Sequence, residues 1–205
     1  MDFILHIDKY LAGLISQYYA LSYLILFAFI FAETGFVVTP FIPGDSLLFA
    51  AGALIAGGHT GLNIYLLAGV LVAAAFTGNS LNYTLGYYLG PKVFKPDNKI
   101  LKLEYYHKTK AFFDKQGGNA MIFSRFLSVI RTVAPFVAGI SKMQFGQFSI
   151  NNFVGGVAWI TLFLSLGYFF GNIPIIKDHF TIVVLVIIVV SVLPAIYSAM
   201  KTSKK

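Results

Sequence analysis

Six apolar stretches follow one another along the chain, at roughly 10–32, 36–56, 62–90, 119–140, 148–171 and 180–200. Four of them, 10–32, 62–90, 148–171 and 180–200, run without an internal charge. Each reaches the length of about 20 residues that a helix needs to cross a hydrocarbon core about 30 Å thick. These predict transmembrane helices. The stretch at 36–56 is long enough, but Pro40, Pro43 and Gly44 interrupt its middle and leave arms too short to cross. The stretch at 119–140 holds Arg125, Arg131 and Pro135. An arginine at mid-membrane costs about 2.5–3.5 kcal/mol on insertion scales, so a plain span is disfavoured there. Both segments read as re-entrant hairpins, which persist at membrane depth where other helices enclose them or water reaches them.

Composition supports lipid as the solvent. Of the 205 residues, 58% are hydrophobic and only 11% charged, against a usual charged share of about 25%. The charges are also unevenly placed. Residues 91–115 hold seven lysines against three acids, and Lys201, Lys204 and Lys205 close the chain. By the positive-inside rule, the 91–118 segment and the 201–205 tail are cytoplasmic. Helices 148–171 and 180–200 then supply the crossings between them, so hairpin 119–140 enters from the cytoplasmic side. Hairpin 36–56 enters from the outer face, and the N-terminus is cytoplasmic. The fold class expected is an all-α polytopic membrane protein, a single membrane domain with four transmembrane helices and two re-entrant hairpins from opposite faces. Such an arrangement is typical of inverted repeats with a midplane binding site. One offset lays Phe36 on Phe123, Phe49 on Phe136 and Ala51-Gly52 on Ala138-Gly139, which is thin support for a repeat.

The same charge distribution removes nucleic acid as a partner, because the net charge of +7 is explained by lysines at membrane edges. Absence of cysteine excludes disulfides, thiolate metal sites and a cysteine nucleophile. Asp2, Asp8 and Lys9 are unlike the basic start of a signal peptide, so the first apolar segment is expected to stay in the mature protein. Leu101, Tyr105 and Phe112 share a helix face among lysines, either resting on the inner leaflet or lying in a solvated loop. Gly78, Asn82, Gly86 and Gly90, like Gly167 and Gly171, recur every four positions, a spacing that lets helices approach closely.

Four charges lie within apolar segments: Glu33, Asp45, Arg125 and Arg131. The two arginines are the only ones in the chain. A guanidinium keeps its charge and grips phosphate with a planar fork of donors, where an ammonium is a point charge. On one continuous helix, positions six apart point about 120° away from each other, so a bend is needed to bring the arginines together. The acids have two readings each. Asp45 after Pro43-Gly44 suits a helix N-cap, and Glu33 suits an interfacial carboxylate; partly buried, either is also able to carry a proton. The four charges sum to zero, so acid–arginine pairs pinning the hairpins together are a purely structural reading. Desolvation makes such pairs poor stabilisers, which favours a functional one. No enzyme is indicated. His6, His59, His107 and His179 fall at ends or in loops, no glycine-rich phosphate loop leads into a lysine, and no metal-ligand spacing occurs.

Taken together, Glu33-Thr34-Gly35-Phe36, Pro43-Gly44-Asp45 followed by Ala51-Gly52, Asn82-Tyr83 with Gly86 and Gly90, Phe123-Ser124-Arg125-Phe126, Arg131-Thr132, Pro135, Ala138-Gly139, and Trp159 with Gly167-Tyr168 and Gly171 resemble the bacterial DedA family. The resemblance runs from about residue 30 to 171, and its most specific part is the arginine-bearing stretch. Two positions depart from the family pattern: Ser128 stands where proline is usual, and Asn79 where an acid is frequent, which removes one candidate carboxylate. The resemblance implies a bacterial plasma-membrane transporter that returns undecaprenyl phosphate from the outer to the inner leaflet, driven by the proton motive force. It places the family's essential arginines on Arg125 and Arg131, for the lipid phosphate, and its essential acids on Glu33 and Asp45, for protons. Membrane lipids, the lipid-linked phosphate and protons are the partners implied, a homo-oligomer is compatible, and no cofactor or metal is. Other roles open to the same sequence are a less selective phospholipid scramblase and a non-transporting factor for envelope homeostasis.

Overall fold

The computed structural model describes residues 19–36, 44–58, 60–90, 103–171 and 173. They form seven α-helices: α1 (Tyr19–Gly35), α2 (Gly44–Ala56), α3 (Ile64–Leu89), α4 (Leu103–Gln116), α5 (Ala120–Ser124), α6 (Ser128–Ile140) and α7 (Phe145–Gly171), with a 3-10 turn at Gly117–Asn119. The predicted span 180–200, the 201–205 tail, the start of span 10–32 and the Pro40–Pro43 bend lie outside the described residues.

Helices α3 and α7, of 26 and 27 residues, are long and apolar enough to cross a bilayer. Each also exposes large apolar side chains, Tyr65, Leu66 and Tyr88 on α3 and Ile150, Phe153 and Phe169 on α7, where a soluble protein would place polar ones. Their boundaries lie close to the predicted 62–90 and 148–171. Asn63 starts α3 by accepting from the N–H groups of Tyr65 (2.9 Å) and Leu66 (3.1 Å). Gly90 ends it at φ +68°, a left-handed conformation that a β-carbon would strain. The predicted packing role for Gly90 is therefore replaced by a helix stop. Helix α2, the described arm of the 36–56 segment, has 13 residues and extends only about 20 Å.

The described residues fall into two compact units, and α1, α3 and α7 contribute to both. In the first (19–26, 44–58, 60–70, 160–171 and 173), α2 packs on the end of α7. A β-carbon built on Gly52 would fall 2.3 Å from the Leu164 carbonyl oxygen, and one on Gly167 would fall 2.0 Å from that of Phe49. The second unit (27–36, 71–90 and 103–159) packs α6 on α3 in the same manner. There, Gly139 lies against the Tyr83 carbonyl and Gly86 against that of Phe136, each 2.1 Å from the would-be β-carbon. Phe49 and Gly52 thus make to Leu164 and Gly167 the contacts that Phe136 and Gly139 make to Tyr83 and Gly86. The offset noted in the sequence pairs Phe49 with Phe136 and Gly52 with Gly139, and the partner helices carry Gly86-Tyr87-Tyr88-Leu89-Gly90 and Gly167-Tyr168-Phe169-Phe170-Gly171. The internal similarity is clearer in these backbone contacts than in residue identities.

The predicted bend in 119–140 is present as a helix break. Helix α5 ends at Ser124, Leu127 is extended (φ −118°, ψ 102°), and α6 begins at Ser128. The segment before it does more than the sequence suggested, because α4 packs against α6. Tyr106 and Phe113 of α4 cover Val133, Phe136 and Val137, and Thr109 between them is buried. This packed face lies one position along from the predicted Tyr105 and Phe112. Phe113 also borders a second cluster of Tyr83, Met121, Ala134, Ala138 and Phe148. These contacts fix the arms on either side of the break.

Candidate functional site

Helix α1 carries Glu33 near its C-terminal end, and its side chain is 2% exposed. Thr34 beside it donates its hydroxyl to the Ile30 carbonyl (2.8 Å), and its own carbonyl, in the last turn of the helix, is left for donors from elsewhere. Asn82 of α3 uses it. Its amide nitrogen donates to the carbonyls of Thr34 (3.2 Å) and Thr132 (3.0 Å), tying α1 and α6 to α3. Gly78, one turn earlier on α3, makes room for the Thr34 side chain, since a β-carbon there would fall 2.1 Å from its hydroxyl oxygen.

The break between α5 and α6 sets the two arginines on different helical elements. Arg125 follows the last residue of α5 and Arg131 lies in the first turn of α6. Arg131 donates from Nη2 to Oε1 of Glu33 at 2.6 Å. Arg125 is 2% exposed and donates from its own Nη2 to Oδ1 (2.5 Å) and the main-chain carbonyl (3.2 Å) of Asn152 on α7. Asn152 is held in turn by its amide nitrogen, which donates to the Phe76 carbonyl (3.1 Å).

Asn79 completes this group. In one amide orientation its oxygen accepts from Arg125 Nη2 (2.8 Å) and its nitrogen donates to the Thr34 carbonyl (3.2 Å). In the other, the nitrogen donates to Asn152 Oδ1 (2.9 Å) and faces the guanidinium. Nε and Nη1 of Arg125 are buried and have no acceptor among the described residues. Trp159, fully buried on α7, lies beside both cations, its ring centre 5.0 Å from Cζ of Arg131 and 5.9 Å from that of Arg125. Such contacts favour a cation held out of water.

Three of the four singled-out charges, Glu33, Arg125 and Arg131, therefore belong to one unit and form one cluster. Asp45 belongs to the other unit, half-buried in the first turn of α2, where the helix dipole favours an acid. The roles of Asn79, Asn152 and Trp159 were not anticipated from the residues themselves. Their signal was available, since an amide in an otherwise apolar span needs a partner. A separate groove of about 420 Å³, lined by Tyr83, Tyr87, Tyr88 and Lys142 among others, includes none of the four charges.

Two helices long and apolar enough to cross a bilayer, with polar side chains paired between them and their neighbours, are the features of an integral membrane protein. Comparison with known proteins agrees. Residues 42–169 match the VTT domain. Protein DedA of Escherichia coli K12 is 46% identical over 197 residues, covering 96% of this chain and 90% of that protein. An uncharacterized membrane protein of Mycobacterium tuberculosis H37Rv is 38% identical over 171 residues (83% of this chain, 75% of that protein), and the inner membrane protein YghB of E. coli K12 is 37% identical over 158 (77% and 71%). The chain belongs to the DedA family of membrane proteins. No solved structure matches it.

Proposed function

We propose that the protein flips a lipid-linked phosphate, undecaprenyl phosphate, from the outer to the inner leaflet of the bacterial plasma membrane, for reuse in cell-envelope synthesis, with coupling to protons. The observation that carries this reading is the pair of guanidinium groups beside Trp159, one paired with Glu33 and the other with two buried donor nitrogens that have no acceptor among the described residues. A phosphate supplies the charge and the multiple acceptors that such groups take, while a polyprenyl tail remains in lipid. Arg125 and Arg131 hold the phosphate. Glu33 competes with it for Arg131, so protonation of Glu33 releases that arginine to the lipid. Asp45 carries protons in the other unit.

The topology that goes with this function has four transmembrane helices, hairpins entering from opposite faces, and both termini cytoplasmic. Reconstituted liposomes test it: leaflet exchange of the carrier should depend on a pH gradient and be lost in Arg125→Ala and Arg131→Ala. Exchange of many headgroups irrespective of the gradient would make the protein a scramblase, and no exchange at all would leave a non-transporting envelope factor.

A further inference from the structure

The last turns of α3 and the turn joining α6 to α7 enclose the groove of about 420 Å³ that stands apart from the arginine cluster, a volume within the about 300–1,000 Å³ usual for ligand sites. Its wall is aromatic. Ring centres of Tyr83 and Tyr87 lie 6.4 Å apart, Tyr88 meets Tyr87 edge-on at 5.4 Å, and Phe145 packs on Tyr83 at 5.6 Å. Tyr83 is buried, whereas Tyr87, Tyr88 and Phe145 leave large parts of their rings exposed. Lys142 carries the only charge among the lining residues.

Lys142 holds this place at a conformational cost. Its φ is +52°, and it is the one non-glycine residue with positive φ among the described residues. It follows Ser141, the C-cap of α6. Its N–H donates to the Gly139 carbonyl (2.9 Å), and the N–H of Met143 donates to that of Ala138 (3.0 Å). A helix stop of this kind ordinarily takes glycine, which has no β-carbon to crowd the left-handed backbone. The Tyr83 hydroxyl donates to the Met143 carbonyl, so the aromatic wall and the strained turn are fastened together. Strain held where a side chain is presented points to a use for that side chain.

An ammonium beside tyrosine rings matches a ligand with an anionic head and an apolar body. A small soluble anion would meet a single point charge in an open groove and leave the rings wet. An anionic lipid uses both, and basic pockets between transmembrane helices on the cytoplasmic side take such headgroups. The topology proposed above puts this end of α3 on the cytoplasmic side, where the lysine-rich 91–118 segment begins. We propose that the groove is a resident site for an anionic glycerophospholipid of the inner leaflet, its phosphodiester on Lys142 and its glycerol and first acyl carbons on Tyr83, Tyr87, Tyr88 and Phe145. The site is separate from the two arginines, and only the choice of leaflet rests on the proposed topology.

Native mass spectrometry of the full chain in detergent, titrated with phosphatidylglycerol or with phosphatidylethanolamine of the same acyl chains, tests this. Phosphatidylglycerol should bind about fivefold more tightly, the factor that one lysine near an anionic headgroup contributes. Lys142→Gln should abolish that preference, and Tyr88→Ala should weaken both lipids. Lys142→Gly should also abolish it while raising the unfolding temperature of the delipidated protein, because glycine relieves the backbone. A photoreactive phosphatidylglycerol should mark the peptides that hold Tyr87 and Tyr88 or Lys142 to Phe145. Equal binding of the two lipids, a preference unchanged in Lys142→Gln, or marking confined to other peptides overturns the site. A preference lost in Arg125→Ala but kept in both Lys142 variants overturns it too, since the lipid would then sit at the arginines. Displacement of the lipid by an equal concentration of glycerol phosphate would make the groove a soluble-anion site, against the proposal. Failure of leaflet exchange in liposomes would count against the flippase reading and leave this site standing.

Discussion

Arg131 and Glu33 meet at 2.6 Å although 98 positions separate them in the chain, and both side chains are almost wholly removed from solvent. Loss of one partner leaves the other as an unpaired buried charge. Glu33→Ala should therefore cost about 3–5 kcal/mol, whereas replacing both residues by apolar ones of similar size should recover most of that loss. Thermal unfolding in detergent, arranged as a double-mutant cycle, checks this; additive losses would show that the pair is not coupled.

The glycine contacts give a prediction with an internal control. Gly86→Ala, Gly139→Ala, Gly52→Ala and Gly167→Ala each push a methyl into a facing carbonyl and should lower the unfolding temperature markedly. Gly69→Ala, with open space around it on α3, should be neutral or stabilise by up to about 1 kcal/mol. Equal effects at all five positions would mean that helix propensity rather than close approach governs them.

Asn82 is expected to matter through its two carbonyls rather than through any ligand. Asn82→Leu leaves the Thr34 and Thr132 carbonyls without that donor, at about 1–3 kcal/mol for a buried group. Hydrogen exchange should show faster opening at the C-terminal end of α1 and the start of α6, and unchanged exchange there would remove the clip.

Arg125→Lys separates charge from shape. An ammonium keeps the positive charge but loses the planar fork that reaches Asn152 and leaves two further donor nitrogens. Lipid-phosphate affinity, measured by native mass spectrometry, should drop by more than tenfold. Retained affinity would mean that a point charge suffices.

Sidedness is accessible because the chain has no cysteine. A thiol introduced by Lys110→Cys, on the exposed side of α4, should react with an impermeant maleimide in inside-out vesicles and be protected in intact cells. The reverse labelling would invert the proposed topology.

Much of this architecture was legible because spans declare themselves by length. The runs at 62–90 and 148–171 contain no charge to end them, and α3 and α7 follow closely. The break between Arg125 and Arg131 was legible for a different reason: two arginines six apart share a site only if the helix stops between them. The amides were harder. Asn152 lies 27 positions from Arg125 and 73 from Asn79, distances over which periodicity carries no information. A lone asparagine in an apolar helix announces that it needs a partner without saying which. The packing of α4 on α6 was hidden by the lysines around it, which made the segment look like solvated loop. Its inner face of Tyr106, Thr109 and Phe113 spans only two turns.

Trp159, set beside two guanidinium groups, is the single tryptophan of the chain. Indole emission responds to nearby charge, so an anion that draws either arginine off the ring should shift the fluorescence of the unlabelled protein. Were the arginines to take an anion, the cluster would then carry its own optical reporter, readable in real time, in detergent or in a bilayer, without altering a residue.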